Sequence, residues 1–147
     1  MPPSPEALIR QWFDELWNQG REDTIDRLMA PDTTVHGLPT PDGQPIRGPQ
    51  GFKPFFQSFR SAFPDIRVTV VRTVSQGDTV CAHCDTTGTH LTSALGMDAT
   101  GKQVDFWGMC IVRTEGDKIV EGWNCFDFLS FYQQLGLIPA LPASLSS

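Results

Sequence analysis

The hydrophobic period of this chain changes at Pro64, and that single change limits the architectures open to it. Before Pro64 apolar residues recur at helical spacing: Leu8, Ile9, Trp12, Phe13, Leu16 and Trp17, then Ile25, Leu28 and Met29, then Phe52, Phe55, Phe56, Phe59 and Phe63. After it Ile66, Val68 and Val70 alternate with Arg67 and Thr69, the mark of a strand with one buried face. Three more runs rich in Val, Ile, Thr and aromatics, Asp78 to Thr89, Gln103 to Thr114 and Lys118 to Phe126, predict long strands. Glu115-Gly116-Asp117 joins the last two as a short antiparallel turn. Helices followed by a meandering antiparallel sheet form an α+β domain, with the helices packed on one face of a curved sheet.

Local punctuation sharpens the outline. Ser4 is placed to cap a helix opened by Pro5 and ended by Gly20. A short second helix is predicted from Arg21 to Ala30, because Pro31 forbids continuation. The span from Asp32 to Gly51 is rich in Pro and Gly and reads as a surface loop, with Thr33 to His36 as one short edge strand. Pro64 stops the phenylalanine helix, and Asp127 opens a last helix as its N-cap. Residues 1–136 therefore read as one domain and 137–147 as an aperiodic tail. The expected shape is a cone of four long strands and a short edge strand. The first helix and the phenylalanine helix close its concave side around a blind apolar pocket.

Composition narrows the partners. Eleven Lys and Arg stand against seventeen Asp and Glu in 147 residues, a net charge of −6 that repels phosphates and anionic lipid heads, so neither nucleic acid nor a membrane is expected as partner. The first residues lack a secretory pattern, which predicts a cytoplasmic location. Cys81, Cys84, Cys110 and Cys125 sit in apolar runs and read as reduced thiols; Cys81 and Cys84, three apart on a strand, face opposite ways. His36, His83 and His90 lack ligand spacing, and no glycine-rich nucleotide loop occurs, so no metal and no cofactor are expected. A hydrophobic small molecule is the expected ligand.

The order of elements carries a resemblance, together with Phe13-Asp14-Glu15-Leu16-Trp17-Asn18-Gln19-Gly20, Ala62-Phe63-Pro64-Asp65-Ile66, Gly88-Thr89-His90 and Gly116-Asp117-Lys118-Ile119-Val120-Glu121-Gly122-Trp123 leading to Gln134-Leu135-Gly136. Over about residues 6 to 136 the chain resembles the SnoaL-like polyketide cyclases of the NTF2-like superfamily, and more distantly the limonene-epoxide hydrolases. The resemblance implies a cofactor-free enzyme in which a pocket carboxylate removes a proton next to a carbonyl and the carbanion closes a ring. It also implies an Asp on the last strand just after Trp123, where this chain has Asn124. An amide cannot act as base near neutral pH. Val80-Cys81-Ala82-His83-Cys84-Asp85 resembles a strand of the epoxide hydrolases, and the resemblance implies Asp85 where one of their aspartates stands and His83 where their arginine stands, so the acid–base work is expected of Asp85 with His83 beside it and Asn124 is expected to donate a hydrogen bond to the carbonyl. On a strand His83 and Asp85 share a face, with Cβ atoms roughly 7 Å apart.

Phe13, Trp17, Phe56, Phe106, Cys110 and Phe126 are the expected apolar walls, and His36, which resembles a His frequent in these cyclases, is expected at the pocket mouth, with a loop histidine as the alternative. His90 is placed outside the site, Asp127 is read as a helix cap, and Glu121 is expected to face away from Asn124. The resemblance also implies a homodimer through the open sheet face, burying residues such as Val71, Ile111 and Trp123. The leading functional expectation is cyclisation or isomerisation of a hydrophobic carbonyl compound. Its alternatives are epoxide opening and a non-catalytic ligand-binding module.

Overall fold

The computed structural model describes residues 2–93 and 97–142. The chain runs through α1 (Pro5–Gln11), a π-helical stretch (Trp12–Asn18), α2 (Asp23–Leu28), β1 (Met29–His36), β2 (Ile46–Arg47) and α3 (Gly48–Ala62), then β3 (Arg67–Gln76), β4 (Thr79–Thr89), β5 (Gln103–Glu115), β6 (Lys118–Phe126) and α4 (Phe128–Gln134). All six strands form one curved sheet in the order β2-β1-β6-β5-β4-β3. The architecture is α+β with the N-terminal helices on the concave face, as the change of period predicts. Of the expected tail, residues 137–142 are exposed and without regular structure, and 143–147 lie outside the described residues.

Helix boundaries follow their caps. Ser4 Oγ accepts from the Ala7 amide at 3.1 Å, and Asp127 Oδ1 accepts from Ser130 N at 3.0 Å, so both predicted caps are made. The stretch after Gln11 departs from α geometry: Gln19 N bonds Asp14 O, five residues back, at 3.0 Å. In an α-helix Trp12 and Trp17 would stand about 140° apart around the axis, at 3.6 residues per turn. The wider π turn brings them to one side, where both rings meet Phe52, at 5.2 and 6.3 Å between centroids.

One element differs from expectation. The predicted second helix stops at Leu28 instead of Ala30, and the predicted short edge strand is the end of an eight-residue strand that begins at Met29. This strand is internal. It pairs in parallel with β6 and antiparallel with β2, which makes the sheet one strand larger than the predicted four long strands and an edge strand. Pro31 is tolerated because the register with β6 shifts between Met29 and Thr34, where no ladder donor is required. Thr33 bridges the gap, its hydroxyl lying 2.8 Å from Ala30 O and 2.7 Å from Ile119 O.

The inner face of the sheet is set by β4 and β5, paired without a break from Thr79↔Arg113 to Thr89↔Gln103. Val80, Ala82, Cys84 and Thr86 of β4 and Val104, Phe106, Cys110 and Val112 of β5 are buried against the helices. At Gly108 a Cβ would lie 2.3 Å from the Phe126 ring, so only glycine there lets that ring seat on the inner face. We expect Gly108→Ala to displace Phe126 and to lower unfolding free energy by about 1 to 3 kcal/mol, the usual cost of overpacking, as measured by urea denaturation.

Candidate functional site

Between the sheet and the helices lies a cleft of about 760 Å³, counting its open mouth. Trp12, Phe13 and Trp17 from the π-helical stretch and Phe52, Phe55 and Phe59 from α3 form its helical wall. Val68, Thr86, Phe106, Cys110, Asn124 and Phe126 are among the residues on its sheet wall. The helical wall is continuous because Trp17 meets Phe52, Phe55, Phe56 and Phe59 edge-on, at 5.2 to 6.3 Å between ring centroids.

The structure brings six of the expected residues to this cleft: Phe13, Trp17, Phe106, Cys110, Asn124 and Phe126. Four stand elsewhere. Phe56 is buried under Trp17, at 5.2 Å between centroids, and packs in the core beside the cleft. His36 lies on the outer face of the sheet, its Nε2 2.8 Å from Glu121 Oε2 and its ring stacked on Trp123 at 5.7 Å.

His83 and Asp85, the expected acid–base pair, are also on the outer face. His83 pairs with Met109 and meets the edge of Trp107, while Asp85 pairs with Trp107. The inward residues of β4 are their neighbours Cys84 and Thr86, so the parity is the reverse of the expected one. Partial burial, reinforced by a hydrogen bond and like charge from Asp105, raises the Asp85 carboxyl above its ordinary range, but it does so away from the cleft. The epoxide-opening alternative, which borrows the same Asp85, loses its carboxylate with it.

Asn124 is held by its own strand junction. Its Nδ2 donates to the His36 carbonyl at 3.0 Å, which fixes the amide's orientation and leaves Oδ1 and the second N–H for a ligand. This closeness needs Gly37: at φ +86° it turns the chain away after β1, and a Cβ there would lie 2.0 Å from the Asn124 carbonyl oxygen. Cys110 is a wall residue only. The hydrogen bond between its thiol and that of Cys84, with burial added, pushes the Cys110 pKa well above the ordinary cysteine range and keeps it protonated.

Among the described residues no Asp, Glu, His, Lys or Arg lines the cleft. Nor do any three His, Cys, Asp or Glu side chains come together as a metal-holding group among them, and no described helix is long and apolar enough to cross a membrane. Sequence reasoning missed Trp12 and Thr86 as cleft residues. Trp12 stands three residues after Ile9, which also lines the cleft, and Thr86 follows from the apolar parity of Val80, Ala82 and Cys84 on the same strand.

A carboxylate at position 124 would put an oxygen against the His36 carbonyl in place of the present donor. We therefore expect Asn124→Asp to carry a raised carboxyl pKa. A folded-state pKa above the unfolded one means stability close to wild type below about pH 4 and lost as pH rises through the folded value. Thermal denaturation should show the variant falling behind wild type by about 1 to 3 kcal/mol by pH 8.

Known proteins share this fold. IdmH from Streptomyces antibioticus, described as a candidate polyketide cyclase, is 31% identical, covers 91% of this chain and 99% of its own, and superposes with a TM-score of 0.77. A candidate polyketide cyclase from Bacillus cereus is 30% identical over 89% of this chain and 79% of its own, with a TM-score of 0.73. At 21% identity AclR from Streptomyces galilaeus, described as a candidate hydroxylase, shares the fold, with a TM-score of 0.81 over 97% of this chain and 91% of its own. No curated protein sequence matches. The sequence model of the SnoaL-like polyketide cyclases matches residues 7–135, which is nearly the whole of the domain just described, and the chain belongs to that family.

Proposed function

We propose that the cleft binds an uncharged, hydrophobic carbonyl compound of polyketide type and holds it folded for ring closure or isomerisation without a cofactor. One observation carries this reading: the cleft is walled by aromatic and aliphatic side chains, carries no acidic or basic group among the described residues, and presents the oriented Asn124 amide to its contents. A charged ligand would lose its hydration there without an ion pair in return. Family membership supports the class of reaction.

Proton transfer by Asp85 and His83 has no part in this reading, since both stand across the sheet from the cleft. What remains is positioning, in which a flexible chain is held with its reacting carbons close together, and hydrogen bonding from Asn124 to an oxygen on which charge develops. Incubation with linear apolar diketones, followed by mass spectrometry and NMR, should show a ring product that is isomeric or lighter by one water. Asn124→Leu should lower kcat by roughly 10²-fold, with a smaller change in KM. An absence of turnover with retained one-to-one binding in native mass spectrometry would instead establish a binding module. That no Asp, Glu, His, Lys or Arg lines the cleft among the described residues favours that second reading.

The outer face of the sheet supports a homodimer. Val74, Trp107, Met109, Ile111 and Trp123 are all exposed there, and the register places Trp107, Met109 and Ile111 in line along β5 with Trp123 beside Ile111. Val71, named from the sequence, is exposed at the shift in the β3–β4 register. Such a contiguous apolar surface fits a second copy of the same face. Light scattering at micromolar concentration should give twice the chain mass, and Trp107→Glu combined with Ile111→Asp should give the monomer mass with the fold intact.

A further inference from the structure

Threonine hydroxyls buried in this protein are otherwise partnered. Thr24 accepts from Arg27 at 2.9 Å, Thr33 lies within 2.8 Å of two carbonyls, and Thr114 donates to Asp78 O at 3.1 Å. Thr86, 3% exposed, breaks the pattern: its Oγ1 is buried with no hydrogen-bond partner among the described residues. Its cross-strand neighbours explain why, since Val68 on β3 and Phe106 on β5 flank it on the inner face and neither side chain offers a polar atom. Thr86 also lines the cleft. An unpaired buried hydroxyl costs stability that a valine of the same shape would not.

We propose that Thr86 is a specificity-determining residue of the cleft, whose hydroxyl recognises a neutral oxygen, a ketone or hydroxyl, at the buried end of the ligand. The inference rests on the ligand-binding reading above and adds the second polar point of contact. Thr86 and Asn124 are separate anchors. Thr86 stands opposite Phe106 and Asn124 opposite Cys110, four residues along β5 and on opposite sides of it, which is roughly 13 Å along the strand and about 9 to 10 Å across the sheet before curvature. One oxygen cannot satisfy both. The ligand class is therefore an apolar skeleton with two neutral oxygen functions several bonds apart, one near each end.

The matched probes 1-tetralone and tetralin differ by one carbonyl, and Trp12 and Trp17 in the cleft wall report binding by fluorescence quenching. Wild type should bind the ketone more tightly. Thr86→Val should weaken 1-tetralone roughly 5- to 10-fold while leaving tetralin unchanged, and Thr86→Ser should keep the preference. Removing the unpaired hydroxyl should also raise the Tm of ligand-free Thr86→Val by a few degrees, which shows in the same experiment that the variant is folded. Equal ketone affinity in wild type and Thr86→Val, or equal loss of both probes, overturns the assignment of Thr86 alone. A wild-type protein that binds neither probe overturns the ligand-binding reading and this assignment with it.

Discussion

Alternation along β4 and β5 governs the rest of this structure. Their unbroken pairing leaves no freedom to slip, because a shift of one residue would carry Val80, Ala82 and Cys84 into water and His83 and Asp85 into the core. The apolar set prevails, since burying an unpaired carboxylate costs far more than exposing an imidazole. From that choice follow the apolar cleft wall, the outward acidic and histidine side chains, and the arrival of Phe106, Cys110 and Phe126 on the same side as the helices.

The helical wall solves the complementary problem. A curved sheet with an apolar concave face needs a cover of matching width, and the aromatic face of α3 supplies most of it. The π-helical stretch supplies the remainder by turning Trp12, Phe13 and Trp17 toward the same space. Aromatic rings meeting edge-on fill the wall without closing the cleft, because each ring contacts its neighbours at the rim rather than lying flat across the opening.

The polar content of the cleft is small and unevenly partnered. Asn124 has one of its hydrogen-bonding positions taken by the His36 carbonyl and the others left over, and the Thr86 hydroxyl has none taken. Neutral groups of this kind discriminate by hydrogen-bond matching, where the wrong ligand leaves them unpaired, and they do so at every pH at which the fold persists. Across the sheet from the cleft the groups are charged: Glu121 binds His36 and Asp85 adjoins Asp105.

Much of this was legible in the residues. The change of period at Pro64, the caps at Ser4 and Asp127 and the three long strands each rest on local rules, and the observed elements follow them within a residue or two. Alternation also placed Asn124 opposite in facing to Glu121 and Trp123. The expected placement of Asp85 and His83 does not hold because it rests on a six-residue likeness to another family's strand, whereas Val80, Ala82 and Cys84 mark the inner parity of this one. Other features were decided only by the tertiary structure. Met29 to Pro31 carry no local strand signal, and they extend because β6 offers an open edge and the register shift absorbs the proline. Trp17 joins Trp12 against the Phe52 ring through backbone bonds five residues apart, and the Thr86 hydroxyl is left unpaired by the neighbours that two other strands set beside it. Period and capping act between residues close in sequence, so the chain alone specifies them; partners, register and what is left unsatisfied arise from residues brought together over long separations.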